Sequence, residues 1–279
     1  MGTLYLVATP IGNLEDISLR ALRVLGEVGL VAAEDTRRTR ALLSHYKLHT
    51  PLASYHEHNK WEQIPRLLQA LAESDVALVS DAGTPGLNDP GYELVQAAVQ
   101  AGFQVSPIPG PSAPIAALSA SGLPAGRFLY LGYLPRKAGD RRSLLSELAR
   151  LPYTLVFLET PHRLLACLDD LQAVLGERQV AIARELTKLH EEIFHGSLAA
   201  ARQHFAGREV RGEFTLVVAE EEPQPSAWPE TRLVSAIQER LGRGESPSQV
   251  AASLALEAGW PRRAVYRLLV QQDRSERVK

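Results

Sequence analysis

Short apolar runs and longer amphipathic segments take turns along this chain. Leu4 to Ala8 reads as a buried strand, Ile17 to Leu25 as a helix, Leu30 to Ala33 as a second strand, and Arg40 to His45 lies in a second helix. The alternation continues with a helix over Trp61 to Leu71, a strand from Val76 to Ser80, a helix from Tyr92 to Gln100, a strand near Val105 and a helix between Ser112 and Ser121. Strand-like runs alternating with helical periods predict an α/β architecture.

Turn formers in Ala120-Ser-Gly-Leu-Pro-Ala-Gly126 mark a hinge, which sets an expected N-terminal α/β lobe over 1–120. A C-terminal α/β lobe over 121–222 is expected to follow. Its strands are predicted at Phe128–Leu131, Thr154–Leu158, Val180–Ala183, Glu192–Phe194 and Phe214–Val218, with helices around Leu144–Leu148 and Leu164–Leu175. The charged, proline-rich stretch from Glu220 to Pro229 predicts an exposed linker over 223–229. A helical module over 230–279 completes the chain. Ser246-Pro247-Ser248-Gln249 has the capping-box pattern with proline at the first helical position, Gly259 is a stop, and Pro261 starts another helix. Helix, glycine turn, helix is the outline of a helix-turn-helix.

The 279 residues, 45% hydrophobic and 22% charged, suffice for two medium domains with a substantial core. No apolar run reaches the ~18 residues of a membrane span. The start, Met-Gly-Thr-Leu-Tyr-Leu-Val, lacks a basic region and cleavage site, so a cytoplasmic protein away from membranes is expected. A net charge of −2 excludes a globally basic nucleic-acid binder and leaves room for local basic patches. The single cysteine, Cys167, offers neither an internal disulfide nor a cysteine zinc cluster and reads as a small core residue.

Candidate chemistry gathers in four loops. Thr9-Pro-Ile-Gly-Asn13, Glu34-Asp-Thr-Arg-Arg38, Ser80 to Gly91 and Pro107-Ile-Pro-Gly-Pro-Ser-Ala113 each follow a predicted strand, and the carboxyl edge of an open α/β sheet is where ligands bind. The third is the richest, an apolar run halting at Asp81 before Gly83, Gly86 and Gly91, which tolerate backbone that other residues avoid. Neither Gly-x-Gly-x-x-Gly nor a P-loop is present, so a standard dinucleotide or P-loop site is not expected. His56 and His58 approach a metal pair without a third ligand, and no metal site is expected.

Val7-Ala-Thr-Pro-Ile-Gly-Asn-Leu14, Ala33-Glu-Asp-Thr-Arg-Arg-Thr39, Ser54-Tyr-His-Glu-His-Asn59, Ser80-Asp-Ala-Gly-Thr-Pro-Gly86, Pro109-Gly-Pro-Ser-Ala113 and Arg184-Glu-Leu-Thr-Lys188 occur in order over about 220 residues. Together they resemble the motifs of the ribosomal RNA small subunit methyltransferase I family, part of the tetrapyrrole methylase superfamily. Leu87-Asn88 and Glu159-Thr160-Pro161 depart slightly from its pattern. The resemblance implies a two-lobed fold with an S-adenosyl-L-methionine (AdoMet) cleft between lobes, a homodimer, and 2′-O-methylation of cytidine 1402 in the 16S rRNA of the 30S subunit. It implies cofactor contacts at Pro10, Asp81, Ala82, Gly83, Thr84, Ser112 and Ala113, with Leu158, Glu159, Gly212 and Thr215 from the second lobe.

A ribose hydroxyl needs a base, and the polar loops offer Glu34, Asp35, His56 and Glu57. The other reading of these acids is structural, as helix caps or as partners of Arg37 and Arg38. RNA phosphates need cations, for which Arg37, Arg136, Lys137, Arg141 and Arg142 are candidates, together with Arg262, Arg263 and Arg267 in the helical module. A tetrapyrrole or other small-molecule methyltransferase, and a non-enzymatic nucleic-acid-binding protein, are the alternatives.

Overall fold

A computed structural model describes residues 2–208, 211–221 and 228–276, with side chains of the last helix described through Val270. The chain forms two compact units, residues 1–221 and 222–279. Most of the expected linker, residues 223–227, lies outside the described residues.

The first sheet of the larger unit contains β1 (Thr3–Val7), β2 (Leu30–Ala33), β3 (Leu52–Ser54), β4 (Val76–Val79) and β5 (Gln104–Ile108) in the order β3-β2-β4-β1-β5. All its pairings are parallel. Helices α1 (Leu19–Glu27), α2 (Thr36–His45), α3 (Lys60–Glu73) and α4 (Tyr92–Gln100) connect its strands. Val7, Val31, Ala77 and Val79 pack with α1 and α2 on one face, whereas Leu4, Ala32, Val76 and Leu78 pack with α3 and α4 on the other. Coverage on both faces explains why β4 is an unbroken apolar run, buried at all four positions. Parallel pairing brings every strand's carboxyl end, and every candidate loop, to one edge.

The second sheet is mixed, ordered β6-β7-β10-β8-β9 from β6 (Phe128–Tyr133), β7 (Thr154–Glu159), β8 (Gln179–Arg184), β9 (Glu192–Ser197) and β10 (Phe214–Val218). One face packs on α6 (Ala138–Leu148), α7 (Pro161–Leu175) and α8 (Leu198–Phe205) through Leu145, Leu164, Leu168, Leu171 and Phe205. Its other face receives α5 (Ala113–Ala120), whose Ala117 and Leu118 join Val156, Ala181 and Val217. The helix that follows β5 is thereby anchored in the second sheet, which joins the halves of this unit.

Among the described residues, β3, α8, α9 (Glu230–Gly242) and a single 3-10 turn at Leu14–Asp16 lie beyond the elements read from the sequence. In the smaller unit α9 packs with α10 (Pro247–Ala258) and α11 (Arg262–Glu276) through Leu233, Ile237, Val250, Leu254, Val265 and Leu269. Ser246 and Gln249 form the expected capping box, and Gly259 ends α10 in the left-handed region at φ 62°. Among the described residues no helix is long and apolar enough to cross a membrane.

Candidate functional site

Two hydrogen bonds stitch the loop after β1 to the loop after β4: Thr9 N–H donates to the Gly83 carbonyl at 2.9 Å and Gly83 N–H to the Thr9 carbonyl at 3.0 Å. Gly83 holds φ 81°, a conformation in which a side chain would be strained. Asp81 ties in the loop after β2, accepting from Asp35 N–H at 3.1 Å and pairing with Arg38 at 3.1 Å. Glu34 in turn accepts from Asp81 N–H at 3.3 Å.

A cavity of about 300 Å3 opens beside these loops and is lined from both sheets. Ile11, Glu34, Asp81, Ala82, Gly83, Thr84, Asp89, Ser112 and Ala113 come from the first half of the unit. Tyr130, Tyr133, Leu158, Glu213 and Thr215 come from the second. Residues three apart on a regular strand face opposite sides, yet Tyr130 and Tyr133 both line the cavity. The cause is a bulge: Tyr130 pairs with Val156 and Tyr133 with Leu158, so β6 carries one residue more than β7. Gly132, at φ 60° within the bulge, makes room for Asn88; a Cβ there would stand 2.2 Å from the Asn88 amide nitrogen.

Carboxylates dominate the electrostatics of this cavity. The Asp89 carboxyl is pushed up to about 6, first by burial and then by the charges of Glu34, Asp81 and Glu213, against a hydrogen bond from Ser80. So high a value marks a site where negative charge is crowded and poorly solvated.

Of the expected cofactor contacts, Asp81, Ala82, Gly83, Thr84, Ser112, Ala113, Leu158 and Thr215 meet at this cavity. Pro10 lines a neighbouring cavity of about 380 Å3 instead, together with Leu14, Thr39, Ala41, Leu42 and His45. The two share Arg38 and Asp81. The Glu159 side chain turns away from the cavity into the lobe, accepting from Thr160 N–H at 2.7 Å and lying 3.3 Å from Arg163. Gly212 does not line the cavity either; at φ 93° it packs against Glu185, which a Cβ would meet at 2.4 Å.

The base candidates Asp35, His56 and Glu57 line neither cavity. Asp35 caps α2, accepting from Arg37 N–H at 2.8 Å. The hydrogen bonds from the Arg37 side chain and backbone hold its carboxyl far below the usual range. His56 N–H donates to Asn59, and Glu57 pairs at 2.7 Å with Lys60, which also contacts Glu93. Of the residues named as base candidates, Glu34 is the one that lines the cavity.

Among the expected phosphate ligands, Arg141 is corrected to a structural role. It is buried, donates to Asp170 at 2.7 Å and to the carbonyls of Pro135 and Arg136, and so fastens the start of α6 to α7. Arg142 shares Asp170 from an exposed position, and Arg37 is exposed but bonded to Asp35. Arg136 and Lys137 are exposed, as are Arg262, Arg263 and Arg267 in the smaller unit, where Arg262 donates to Ser248. Asn88, Asp89, Tyr130, Tyr133 and Glu213 are site residues that sequence reasoning did not single out; the Asp89-Pro90-Gly91 turn was the available signal for Asp89.

A parallel sheet and a mixed sheet facing across a loop-lined cavity define a class of α/β methylases, and residues 3–202 match the family of tetrapyrrole (corrin/porphyrin) methylases. Uroporphyrin-III C-methyltransferase from Thermus thermophilus, in a structure complexed with S-adenyl homocysteine, shares the fold with a TM-score of 0.55, at 24% identity over 78% of this chain and 98% of that one. The chain belongs, within this class, to the ribosomal RNA small subunit methyltransferase I family. It is 47% identical to the protein of that name from Synechocystis sp., over 98% of this chain and 99% of the relative. The protein of the same name from Thermotoga maritima is 47% identical over its whole length, which corresponds to 80% of this chain.

Proposed function

We propose that this protein is an AdoMet-dependent methyltransferase that methylates the 2′-hydroxyl of cytidine 1402 in 16S rRNA. The observation that supports this most is the cavity where the Ala82–Thr84 backbone meets carboxylates from both lobes. AdoMet supplies, when bound, a methyl carbon activated by a positively charged sulfur. Its charges suit the donor set here: Asp81, Asp89 and Glu213 offer anionic oxygens, Thr84 and Ser112 offer hydroxyls, and Ile11, Tyr130 and Leu158 offer an apolar wall for a purine.

Ribose oxygen is a poor nucleophile until its proton leaves, and Glu34 is the residue we assign to receive it. Positioning contributes the rest; well-oriented groups gain on the order of 7–11 kcal/mol over free encounter. Arg136 and Lys137, with Arg262, Arg263 and Arg267, are the cations assigned to RNA phosphates. We further propose a cytoplasmic homodimer acting on the 30S subunit, with lobes at 1–120 and 121–222 and a separate helical module at 230–279.

The test is to incubate the protein with labelled AdoMet and either 30S subunits or a porphyrinoid, then map the label. Label on a single ribose of 16S rRNA is the expected result. Transfer to the porphyrinoid alone, or no AdoMet binding by calorimetry, overturns the proposal.

A further inference from the structure

The cavity of about 380 Å3 beside the cofactor cleft has a wall built by one stripe of α2. Arg38, Ala41, Leu42 and His45 stand at i, i+3, i+4 and i+7, so they share a face. Ala41 is the smallest of the four and sits mid-stripe, which leaves the cavity its width. Pro10 and Leu14 form the opposite wall. The Tyr46 hydroxyl donates to the Leu14 carbonyl at 2.6 Å and holds that wall at a fixed distance from the end of α2.

Three features of this space point to its occupant. Two apolar walls make a slot suited to the faces of a planar ring, while Thr39 and His45 supply polar groups for its edge. The volume is at the small end of ligand pockets, which run from about 300 to 1,000 Å3, and matches a single nucleoside better than a larger ligand. Arg38 is the cation in the cavity's lining, and Arg37 and Arg40 are exposed on the same turn of α2. A ring slot with Arg38 in its lining and further arginines exposed on the same helix turn suits a nucleotide whose phosphates remain outside.

The threshold between the two cavities is the Arg38–Asp81 pair, which lines both. We propose that this second cavity receives the acceptor nucleotide of single-stranded or locally unstacked RNA. The base inserts between the Pro10–Leu14 and Ala41–Leu42 walls, and its ribose stands at the Arg38–Asp81 threshold facing the cofactor cleft. A base taken this way must leave its stack, which costs little where the strand is already unpaired. The inference rests on the proposed methyltransferase reading and adds the acceptor site to it.

Ala41 gives a clean test because it is an exposed helix position whose enlargement fills the slot from the side. The full-length Ala41→Trp protein is expected to melt like wild type and to bind S-adenosylhomocysteine within about two-fold of wild type by calorimetry, since its change lies outside the cofactor cleft. Its methyl transfer to 30S subunits should fall by a factor on the order of 100, because a displaced acceptor loses its alignment. Ala41→Ser, which leaves the slot open, should retain transfer. Full transfer by Ala41→Trp overturns the proposal, and so does a parallel loss of S-adenosylhomocysteine affinity, which would assign the cavity to the cofactor. Wild-type protein that neither binds AdoMet nor methylates 30S subunits refutes the underlying function instead, a result distinguishable from either.

Discussion

Asp89 provides a quantitative handle on the proposed cofactor cleft. Its carboxyl titrates at about 6 in the free protein, so at pH 5 about nine molecules in ten carry it protonated. A cationic cofactor that favours the ionised form must displace that proton. The apparent affinity for AdoMet is then reduced by one plus the ratio of proton concentration to acid constant, about ten-fold at pH 5 relative to pH 8. Titration calorimetry at pH 6 in two buffers of different ionisation enthalpy should show release of about half a proton per AdoMet. Asp89→Asn should weaken binding at pH 8 by about ten-fold, or ~1.4 kcal/mol, and flatten the pH dependence. The stability sign is opposite. The folded-state value lies above the unfolded one, so the native carboxyl favours folding fully below about pH 4, and that contribution disappears as pH rises through 6. The Asn variant should therefore be the more stable protein at pH 8, by about 1 kcal/mol once partial solvent screening is allowed for. An Asn variant that keeps the wild-type pH slope of AdoMet affinity would refute the assignment of that slope to Asp89.

Four further substitutions separate structural from chemical roles. Arg141→Met removes the buried partner of Asp170 and should cost about 3 kcal/mol in urea denaturation, whereas Arg136→Ala on the exposed side should change stability by less than about 0.5 kcal/mol. Equal costs would show that Arg141 does not secure the start of α6. Gly132→Ala combines φ 60° with a Cβ in the space of the Asn88 amide, so a loss of about 1–3 kcal/mol and weaker AdoMet binding are expected; wild-type values for both would show that the bulge is not needed. Asp35→Asn preserves the α2 cap, since asparagine caps as well as aspartate, and methyl transfer should stay within about three-fold of wild type. A fall on the order of 100-fold would restore Asp35 as the base.

The fold was legible wherever burial covers both faces of an element. β2 and β10 are buried enough along their length for apolar character alone to mark them, and the bounds of both match those read from sequence. β3 escapes this signal because its three residues are all only partly buried at the sheet edge. The start of α2 escapes it for another reason: Thr36, Arg37 and Arg38 carry no apolar period, and the helix is begun there by the Asp35 cap. Within the site, proximity to a strand end was readable and side-chain direction was not. Leu158 and Glu159 are neighbours on β7, so their side chains take opposite faces, one to the cleft and one beneath α7. Tyr130 and Tyr133 needed the bulge to converge, and one extra residue in a strand leaves no periodic trace.

A net charge of −2 also concealed the separation of charge on which the proposed cofactor cleft and RNA surface depend. Inside the cavity, Asp89, Glu34, Asp81 and Glu213 set a field that favours a small cation and opposes phosphate. Arg37 and Arg40 lie outside its lining on the first turns of α2, and Arg38, which lines it, meets the acidic field directly at Asp81. A polyanion held by such a rim has its phosphates kept out of the cleft by the same charges that attract the cofactor. What can approach the threshold is a neutral part of the nucleotide, its base and ribose. On the proposed reading, segregated charge orders the two ligands in space, with the ribose as the point where their territories meet.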